Sequence, residues 1–179
     1  MLIFLTGGAR SGKSSAAVRW AGRAVAPVVY LATAEVGDDE MAARIARHQA
    51  ERPDEWTTVE APRDLRAAVL EVDVGSTLII DCLSLWVTNL LDCDDAEIVE
   101  LASVLAATLS DREDLTLVVS NEVGSAVVPD NALARRFRDV LGLVNQTIVD
   151  ASDRSFLCVA GGAVEITSID GLITESLDD

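Results

Sequence analysis

Several features that mark other classes of protein are scarce in this chain of 179 residues. No apolar run reaches the roughly 18 residues that a membrane-spanning helix needs. The opening stretch, Leu2 to Leu5, is followed directly by two glycines and has no basic flank, so it is predicted to be a strand and not a signal peptide. The protein is therefore predicted to be cytoplasmic. The cysteines Cys82, Cys93 and Cys158 are odd in number and show no C-x-x-C spacing. They indicate free thiols in a reducing compartment, not a disulfide framework or a zinc site.

Positive charge is also scarce, because 14 basic side chains stand against 30 acidic ones and give a formal net charge of −16. Such a balance repels nucleic-acid backbones and anionic membranes, so neither is a predicted partner. It repels free nucleotides at long range as well. A nucleotide site in this chain therefore requires concentrated local positive charge. Lys13 is the single lysine and His48 the single histidine.

The chain shows no internal repeat, low-complexity block or linker, and its 50% hydrophobic content is ample for one core. Short β-branched runs predict strands at Leu2–Thr6, Val28–Ala32, Trp56–Glu60, Thr77–Asp81, Leu115–Ser120 and Ser155–Ala160. Helical patterns lie at Lys13–Ala24, Asp38–Glu51, Arg63–Glu71, Asp94–Leu109 and Asn131–Ala151. This alternation predicts a three-layer α/β domain with a mostly parallel sheet over residues 1–166, followed by an acidic C-terminal tail over 167–179.

One segment fits the phosphate-loop pattern G-x-x-x-x-G-K-[ST] at every fixed position. It consists of Gly7, Gly8, Ala9, Arg10, Ser11, Gly12, Lys13 and Ser14. Glycines let the backbone wrap a phosphate, Lys13 bridges the β- and γ-phosphates, and the Ser14 hydroxyl takes a place on Mg²⁺. A glycine-rich turn that matches by chance is disfavoured, because a strand precedes the loop, a helix follows it and the only lysine falls on the lysine position. The loop predicts a protein that binds a nucleoside triphosphate with magnesium and moves part of it.

Asp81 closes the apolar strand Thr77–Asp81. In phosphate-loop proteins a second acidic residue at such a place commonly holds the magnesium, directly or through water. The alternative is a strand-end aspartate that caps a turn. Given the phosphate loop, the magnesium role is favoured.

His48 follows Met41 and Ile45 at helical spacing and so shares a stripe with apolar side chains. Taken alone, such a histidine is more often a packed helix residue than a catalyst. The arginines near this helix end are Arg44, Arg47 and Arg52. They form a local positive patch suited to a triphosphate, or they complement only the helix dipole and acidic neighbours. The pattern leaves both interpretations open.

From about residue 2 to residue 164, the sequence resembles the bifunctional adenosylcobinamide kinase / adenosylcobinamide-phosphate guanylyltransferases of cobalamin biosynthesis. The matching segments are Thr6–Ser14, Tyr30–Thr33, Asp38–Ile45 with His48, Arg52-Pro53, Trp56, Asp81–Leu91, Ser120–Gly124, Val128-Pro129 and Leu133–Asp139. So many segments in one order are far more specific than the phosphate loop alone.

The resemblance implies phosphorylation of adenosylcobinamide by a nucleoside triphosphate. It then implies transfer of GMP from GTP through a GMP–histidine intermediate, with His48 as the nucleophile and Mg²⁺, ATP and GTP bound. The implied nucleotide contacts are residues 7–14, Ala32, Thr33, Ala34, Gln49, Ala50, Glu51, Arg52, Glu60 and Asp81. Some members have serine in place of Ala34 or glutamate in place of Asp81. The family fold is RecA-like, and its members assemble as homo-oligomers, reported as trimers.

Two other functions stay open from the residues alone. One is a plain small-molecule kinase in which His48 is structural, and the other is a nucleotide-dependent switch. The sequence does not determine whether ATP or GTP is the phosphoryl donor. Glu122, Arg135, Arg136 and Arg138 either line the corrinoid site or form ordinary surface pairs.

Overall fold

The apolar runs of the sequence form one mixed sheet. The structure is a computed structural model and describes residues 1–35, 37, 39–50 and 52–177. Its strands are β1 (Leu2–Gly7), β2 (Val28–Ala32), β3 (Thr57–Glu60), β4 (Thr77–Asp81), β5 (Thr116–Val119), β6 (Arg154–Val159) and β7 (Gly162–Ile166). They lie in the order β3-β2-β4-β5-β1-β6-β7. β6 and β7 pair antiparallel, and the other neighbouring strands pair parallel.

Helices cover both faces of this sheet. They are α1 (Lys13–Ala21), α2 (Asp39–Ala50), α3 (Leu65–Leu70), α4 (Leu83–Asn89), α5 (Asp95–Ser110), α6 (Ala132–Ala151) and α7 (Ile169–Leu177). On one face, Leu2 and Phe4 of β1 join an apolar cluster with side chains of α3, α4, α5 and α6. On the other face, Ile3 and Leu5 join a cluster with Ala17 of α1. Because neighbouring residues of a strand point to opposite faces, β1 is buried on both sides. The predicted three-layer α/β class is confirmed.

All the predicted strands and helices are present, and most bounds agree within two residues. β2 and β4 have the predicted bounds. Helix α1 ends at Ala21, three residues before the predicted end, where Gly22 follows and favours helix poorly. Cys82, Cys93 and Cys158 are free thiols, as predicted.

The structure also contains elements that the sequence did not reveal. Ala160 and Gly161 have φ values of 50° and 81° and form the tight turn that leads into β7. β7 is short and mostly exposed, so it lacks the buried apolar pattern on which strand prediction depends. Helix α4 follows β4 after one residue, and its seven residues are too few to show a clear helical periodicity. Helix α7 occupies most of the segment expected to be an acidic tail, and the division into one domain and a tail remains a prediction.

The strand order brings several chain segments to one edge of the sheet. β5 lies between β1, which leads into the glycine-rich loop, and β4, which ends at Asp81. These strands and β2 run parallel, so their carboxyl ends meet at the same edge, where ligands bind in open α/β sheets. This arrangement agrees with the RecA-like class that the resemblance implies.

Candidate active site

Two positions of the glycine-rich loop require glycine, each for a different structural reason. Gly7 pairs with Cys158 of β6, and a Cβ on Gly7 would lie 2.2 Å from the Cys158 carbonyl oxygen. Only glycine allows the two strands to approach so closely. Gly12 has a φ of 95°, a left-handed conformation, and is the N-cap of α1. The motif positions of both glycines are thus fixed by the backbone.

The turn between these glycines is closed by its own backbone. Ser11 N–H donates to the Gly8 carbonyl oxygen at 3.3 Å. Arg10 has a φ of 57°, and left-handed residues in such turns bring successive N–H groups toward a common centre that binds anions. The Lys13 ammonium also donates to the Gly8 carbonyl oxygen, at 3.1 Å, and only 7% of the lysine is exposed. The single lysine is therefore held against the loop at the start of α1.

Two cavities adjoin this loop. The first has a volume of about 320 Å³, and its lining includes residues of α1 and α2 and of the strands β2, β3 and β4. The second, of about 560 Å³, is lined by the loop and by Ala43 and Arg47 of α2. Four residues line both cavities: Lys13, Ser14, His48 and Asn121. His48 thus lies at the boundary between the cavities, where Lys13 and Ser14 of the phosphate loop also lie.

Helix α2 presents one set of side chains to each cavity. Ile45, Gln49 and Arg52, just beyond the helix end, line the first cavity, and Arg47 lines the second. Arg47 forms no ion pair with any residue that the structure describes. The predicted positive patch therefore has one arginine in each cavity, on either side of His48. The Arg44 side chain and Glu51, also named in the sequence analysis, lie outside the described residues.

Three side chains that line the first cavity, Tyr30, Arg52 and Asp81, contact one another. The Tyr30 hydroxyl donates to Asp81 Oδ2 at 2.6 Å. The Arg52 guanidinium carbon lies 3.4 Å from the centroid of the Tyr30 ring, a cation–π contact. Burial, and then the nearby Asp81 charge, raise the pKa of Tyr30 far above its ordinary value. The phenol therefore stays protonated and keeps donating to the carboxylate.

Comparison with known proteins agrees with this geometry. Residues 3–166 match the protein family described as cobinamide kinase / cobinamide phosphate guanyltransferase. The chain is 43% identical over 163 residues to the bifunctional adenosylcobalamin biosynthesis protein CobP of Pseudomonas aeruginosa, covering 90% of this chain and 94% of that protein. It is 39% identical over 181 residues to the protein CobU of Salmonella typhimurium, covering 93% of this chain and 99% of that protein.

The chain belongs to the cobinamide kinase / cobinamide phosphate guanyltransferase family. Membership makes it an enzyme of cobalamin biosynthesis and confirms the resemblance noted in the sequence. A solved Pyrococcus horikoshii OT3 structure shares its fold, with a TM-score of 0.57 and 9% identity over 94% of this chain and 86% of that one. In the described part of the chain, no helix is long and apolar enough to cross a membrane.

The structure brings together most of the site residues that the family resemblance implies. Those that line one or both cavities are Ala9, Arg10, Ser11, Gly12, Lys13, Ser14, Ala32, Ala34, His48, Gln49, Arg52, Glu60 and Asp81. Gly7, Gly8, Thr33 and Ala50 do not line either cavity. The Thr33 hydroxyl instead donates to the Cys82 carbonyl and accepts from the Cys82 N–H, both at 2.8 Å. Thr33 thus connects the end of β2 to the residue that follows β4. Nucleotide binding by the site residues that the family resemblance implies remains a prediction.

Asn121 and Tyr30 are two of the cavity residues that had no assigned function in the sequence analysis. Asn121 follows β5, lines both cavities and donates through Nδ2 to Ser84 Oγ at 2.8 Å. Tyr30 stands in a segment that carries the family resemblance, but its contact with Asp81 requires the register of β2 against β4. Their signal in the sequence was position alone, at or near the carboxyl ends of apolar strands.

The residues left open after β5 form ordinary pairs. Glu122 accepts the N–H groups of Gly124 and Ser125. Arg135 donates to carbonyls just before its own helix, at Pro129 and Asp130. Arg136 bonds Asp95, and Arg138 bonds Asp139. The surface-pair interpretation is thus supported for Arg136 and Arg138, whereas Glu122 and Arg135 bond backbone groups.

Proposed function

We propose that both reactions of the family use one nucleotide site in this chain and that His48 carries GMP between GTP and the acceptor. The observation that supports this most is the position of His48, which lines both cavities together with Lys13 and Ser14. A triphosphate that extends across this boundary brings its α- and β-phosphates to the imidazole.

In the kinase reaction the protein mainly binds and orients. The loop N–H groups and Lys13 hold the β- and γ-phosphates of the donor. The hydroxyl oxygen of the aminopropanol arm of adenosylcobinamide attacks the γ-phosphorus, and the bond to the β–γ bridging oxygen breaks. The hydroxyl proton passes to solvent, and a nucleoside diphosphate leaves. Most of the rate gain is expected from positioning and from neutralised phosphate charge.

In the second reaction the histidine divides one transfer into two. A ring nitrogen of His48 attacks the α-phosphorus of GTP, a P–N bond forms, the bond to the α–β bridging oxygen breaks, and pyrophosphate leaves. A phosphate oxygen of adenosylcobinamide phosphate then attacks the same phosphorus. The P–N bond breaks and releases the imidazole, and adenosyl-GDP-cobinamide is formed.

Arg47 and Arg52 supply charge that these transfers require. Each lines one of the cavities that His48 separates. Guanidinium groups bind phosphate oxygens in a planar, two-pronged geometry that a lysine does not provide. On a chain of net charge −16, these arginines and Lys13 give the local positive potential that a polyanionic substrate needs.

The proposed Mg²⁺ fits the oxygen donors of the first cavity. The Ser14 hydroxyl and the Asp81 carboxylate both line it. Mg²⁺ is ordinarily held by one or two protein oxygens together with waters and substrate phosphates. Tyr30 bonds Oδ2 of Asp81, and no residue that the structure describes bonds Oδ1. When bound, the ion would neutralise charge on the phosphates.

Replacing Asp81 by asparagine keeps the shape and removes the charge that would attract Mg²⁺. We expect both activities to fall, and the Mg²⁺ concentration for half-maximal rate to rise. Titration of Mg²⁺ in wild type and variant measures this. Asp73→Asn, at an exposed site before β4, is the matched control and should leave the titration unchanged. An unshifted curve for Asp81→Asn would identify Asp81 as a strand-end cap.

The function itself is tested with purified protein, adenosylcobinamide and Mg²⁺, with products followed by liquid chromatography and mass spectrometry. With ATP and GTP together we expect adenosylcobinamide phosphate first and adenosyl-GDP-cobinamide afterwards, with release of pyrophosphate. ATP alone and GTP alone identify the phosphoryl donor. Accumulation of the phosphate without any GDP-linked product would instead indicate a plain kinase. A chain that turns over the nucleotide but neither corrinoid would favour a switch.

The partners in this proposal are adenosylcobinamide and its phosphate, with no nucleic acid and no membrane. Assembly as a homo-oligomer, a trimer by family resemblance, is also proposed. Static light scattering of the purified protein measures that assembly directly.

A further inference from the structure

Tyr30 lines the first cavity, in a position set by the pairing of β2 with β4. β2 and β4 are parallel neighbours, with Tyr30 opposite Ile79 and Ala32 opposite Asp81. Tyr30 and Ile79 belong to the same apolar cluster, on the face that α1 covers. Only 2% of Tyr30 is exposed. Two residues beyond Ile79 on the same strand, Asp81 projects from the same face, within reach of the tyrosine hydroxyl.

The hydroxyl and the ring of Tyr30 each contact a residue of the proposed nucleotide site, Asp81 and Arg52 respectively. The hydroxyl donates a hydrogen bond to Asp81 Oδ2 at 2.6 Å, and it forms no other with the residues that the structure describes. The ring lies under the Arg52 guanidinium at 3.4 Å. Arg52 has one further side-chain partner there, the Thr58 hydroxyl at 3.3 Å. A single buried side chain therefore connects the carboxylate at the end of β4 with the arginine after α2.

We propose that Tyr30 is a positioning residue that orients Asp81 toward magnesium and Arg52 toward the nucleotide. The inference rests on the proposed function, because it takes Asp81 as a metal ligand and Arg52 as a nucleotide contact. The hydrogen bond fixes Oδ2 and so directs Oδ1 into the cavity. Partners of this kind, which hold a metal ligand from behind, typically change metal affinity by ~10- to 100-fold when removed. The ring limits the rotamers of a long side chain that would otherwise lose conformational entropy on binding.

Two substitutions separate these contacts. Tyr30→Phe removes the hydroxyl and keeps the ring under Arg52, whereas Tyr30→Leu removes both. Calorimetric titration with a non-hydrolysable GTP analogue, in EDTA and at increasing Mg²⁺, gives the affinity with and without metal. For Tyr30→Phe we expect the Mg²⁺ midpoint, the Mg²⁺ concentration at which half of the change in affinity has occurred, to rise ~10-fold. The affinity for the GTP analogue in EDTA should be unchanged. For Tyr30→Leu the metal-free affinity should fall as well.

A matched control tests for general loosening of the sheet. Thr116→Val removes another buried hydroxyl, which accepts from Arg112 Nε at the amino end of β5. It should leave both affinities unchanged. In the double variant Tyr30→Phe with Asp81→Asn, the tyrosine change should add nothing to the Mg²⁺ shift of Asp81→Asn, because residues that act through one contact are not additive.

A measurement without any substitution covers the case in which Tyr30→Phe does not fold. The chain has a single tyrosine, so protein labelled with 3-fluorotyrosine gives one ¹⁹F resonance. We expect Mg²⁺ to shift this resonance in the presence of the GTP analogue, and Asp81→Asn to abolish the shift. A wild-type protein that binds the analogue independently of Mg²⁺ would overturn the proposed site and this inference together. Mg²⁺-dependent binding with an unmoved resonance, or with a wild-type Mg²⁺ midpoint in Tyr30→Phe, would overturn the inference alone.

Discussion

Replacing Lys13 by alanine is expected to abolish most cobinamide phosphorylation and to weaken triphosphate binding. The change removes the single lysine of the chain, which lies buried against the phosphate loop. Loss of one such electrostatic group typically lowers the rate by ~10² to 10³. Arg47 and Arg52 line the same cavities, but neither belongs to the phosphate loop, so neither is expected to replace the ammonium held against it. Initial rates of adenosylcobinamide phosphate formation, with affinity for a non-hydrolysable triphosphate, measure the effect.

The matched control is Arg19→Ala, which removes one positive charge from the exposed last turn of the same helix, α1. It should retain wild-type rates, so a loss specific to Lys13 cannot be ascribed to net charge or to the helix as a whole. Thermal unfolding of both variants checks that each is folded. A Lys13→Ala protein with near-normal turnover would mean that the loop is not the phosphate site.

The sequence predicted the fold well wherever burial dominates. β2 and β4 are continuous apolar runs between turn residues, and their predicted bounds are those of the structure. β7 escaped prediction because an exposed edge strand has little apolar pattern, although the Ala160-Gly161 turn before it is a hairpin signal. Helix α4 escaped because seven residues make only two turns, too few for the 3.6-residue periodicity to distinguish a helix from another apolar run.

The candidate site was predictable in part, for a different physical reason. A phosphate loop is local in sequence, so its residues could be assigned without knowing how the strands pair. The contact between Tyr30 and Asp81 joins residues on separate strands, and it depends on the register of β2 against β4. The placement of His48 between two cavities likewise depends on how α2 passes the loop, which periodicity does not determine.

A GMP adduct on His48 is the result that most directly tests the proposed transfer. Wild-type protein incubated with Mg²⁺ and GTP labelled on the α-phosphate should retain the label after removal of free nucleotide. GTP labelled on the γ-phosphate is the control and should leave none, because pyrophosphate departs. The linkage should be labile to acid and stable to base, as a phosphoramidate is and a phosphoserine is not. Peptide mapping should locate it on His48.

His48→Ala and His48→Asn should form no adduct and should lose guanylyl transfer, because neither side chain offers a nucleophilic nitrogen. Asparagine keeps a polar side chain of similar reach, so it separates loss of the nucleophile from loss of volume at the boundary of the cavities. Both variants should keep at least part of the kinase activity, since transfer of the γ-phosphoryl group needs the loop, the metal and an oriented acceptor but no histidine. The split between the two activities distinguishes a nucleophile from a packing residue, whose loss would weaken both alike. An unlabelled wild type would exclude the covalent route, whereas a labelled His48→Ala would exclude His48 as the nucleophile. A wild type that is unlabelled and also makes no GDP-linked product would leave only the kinase.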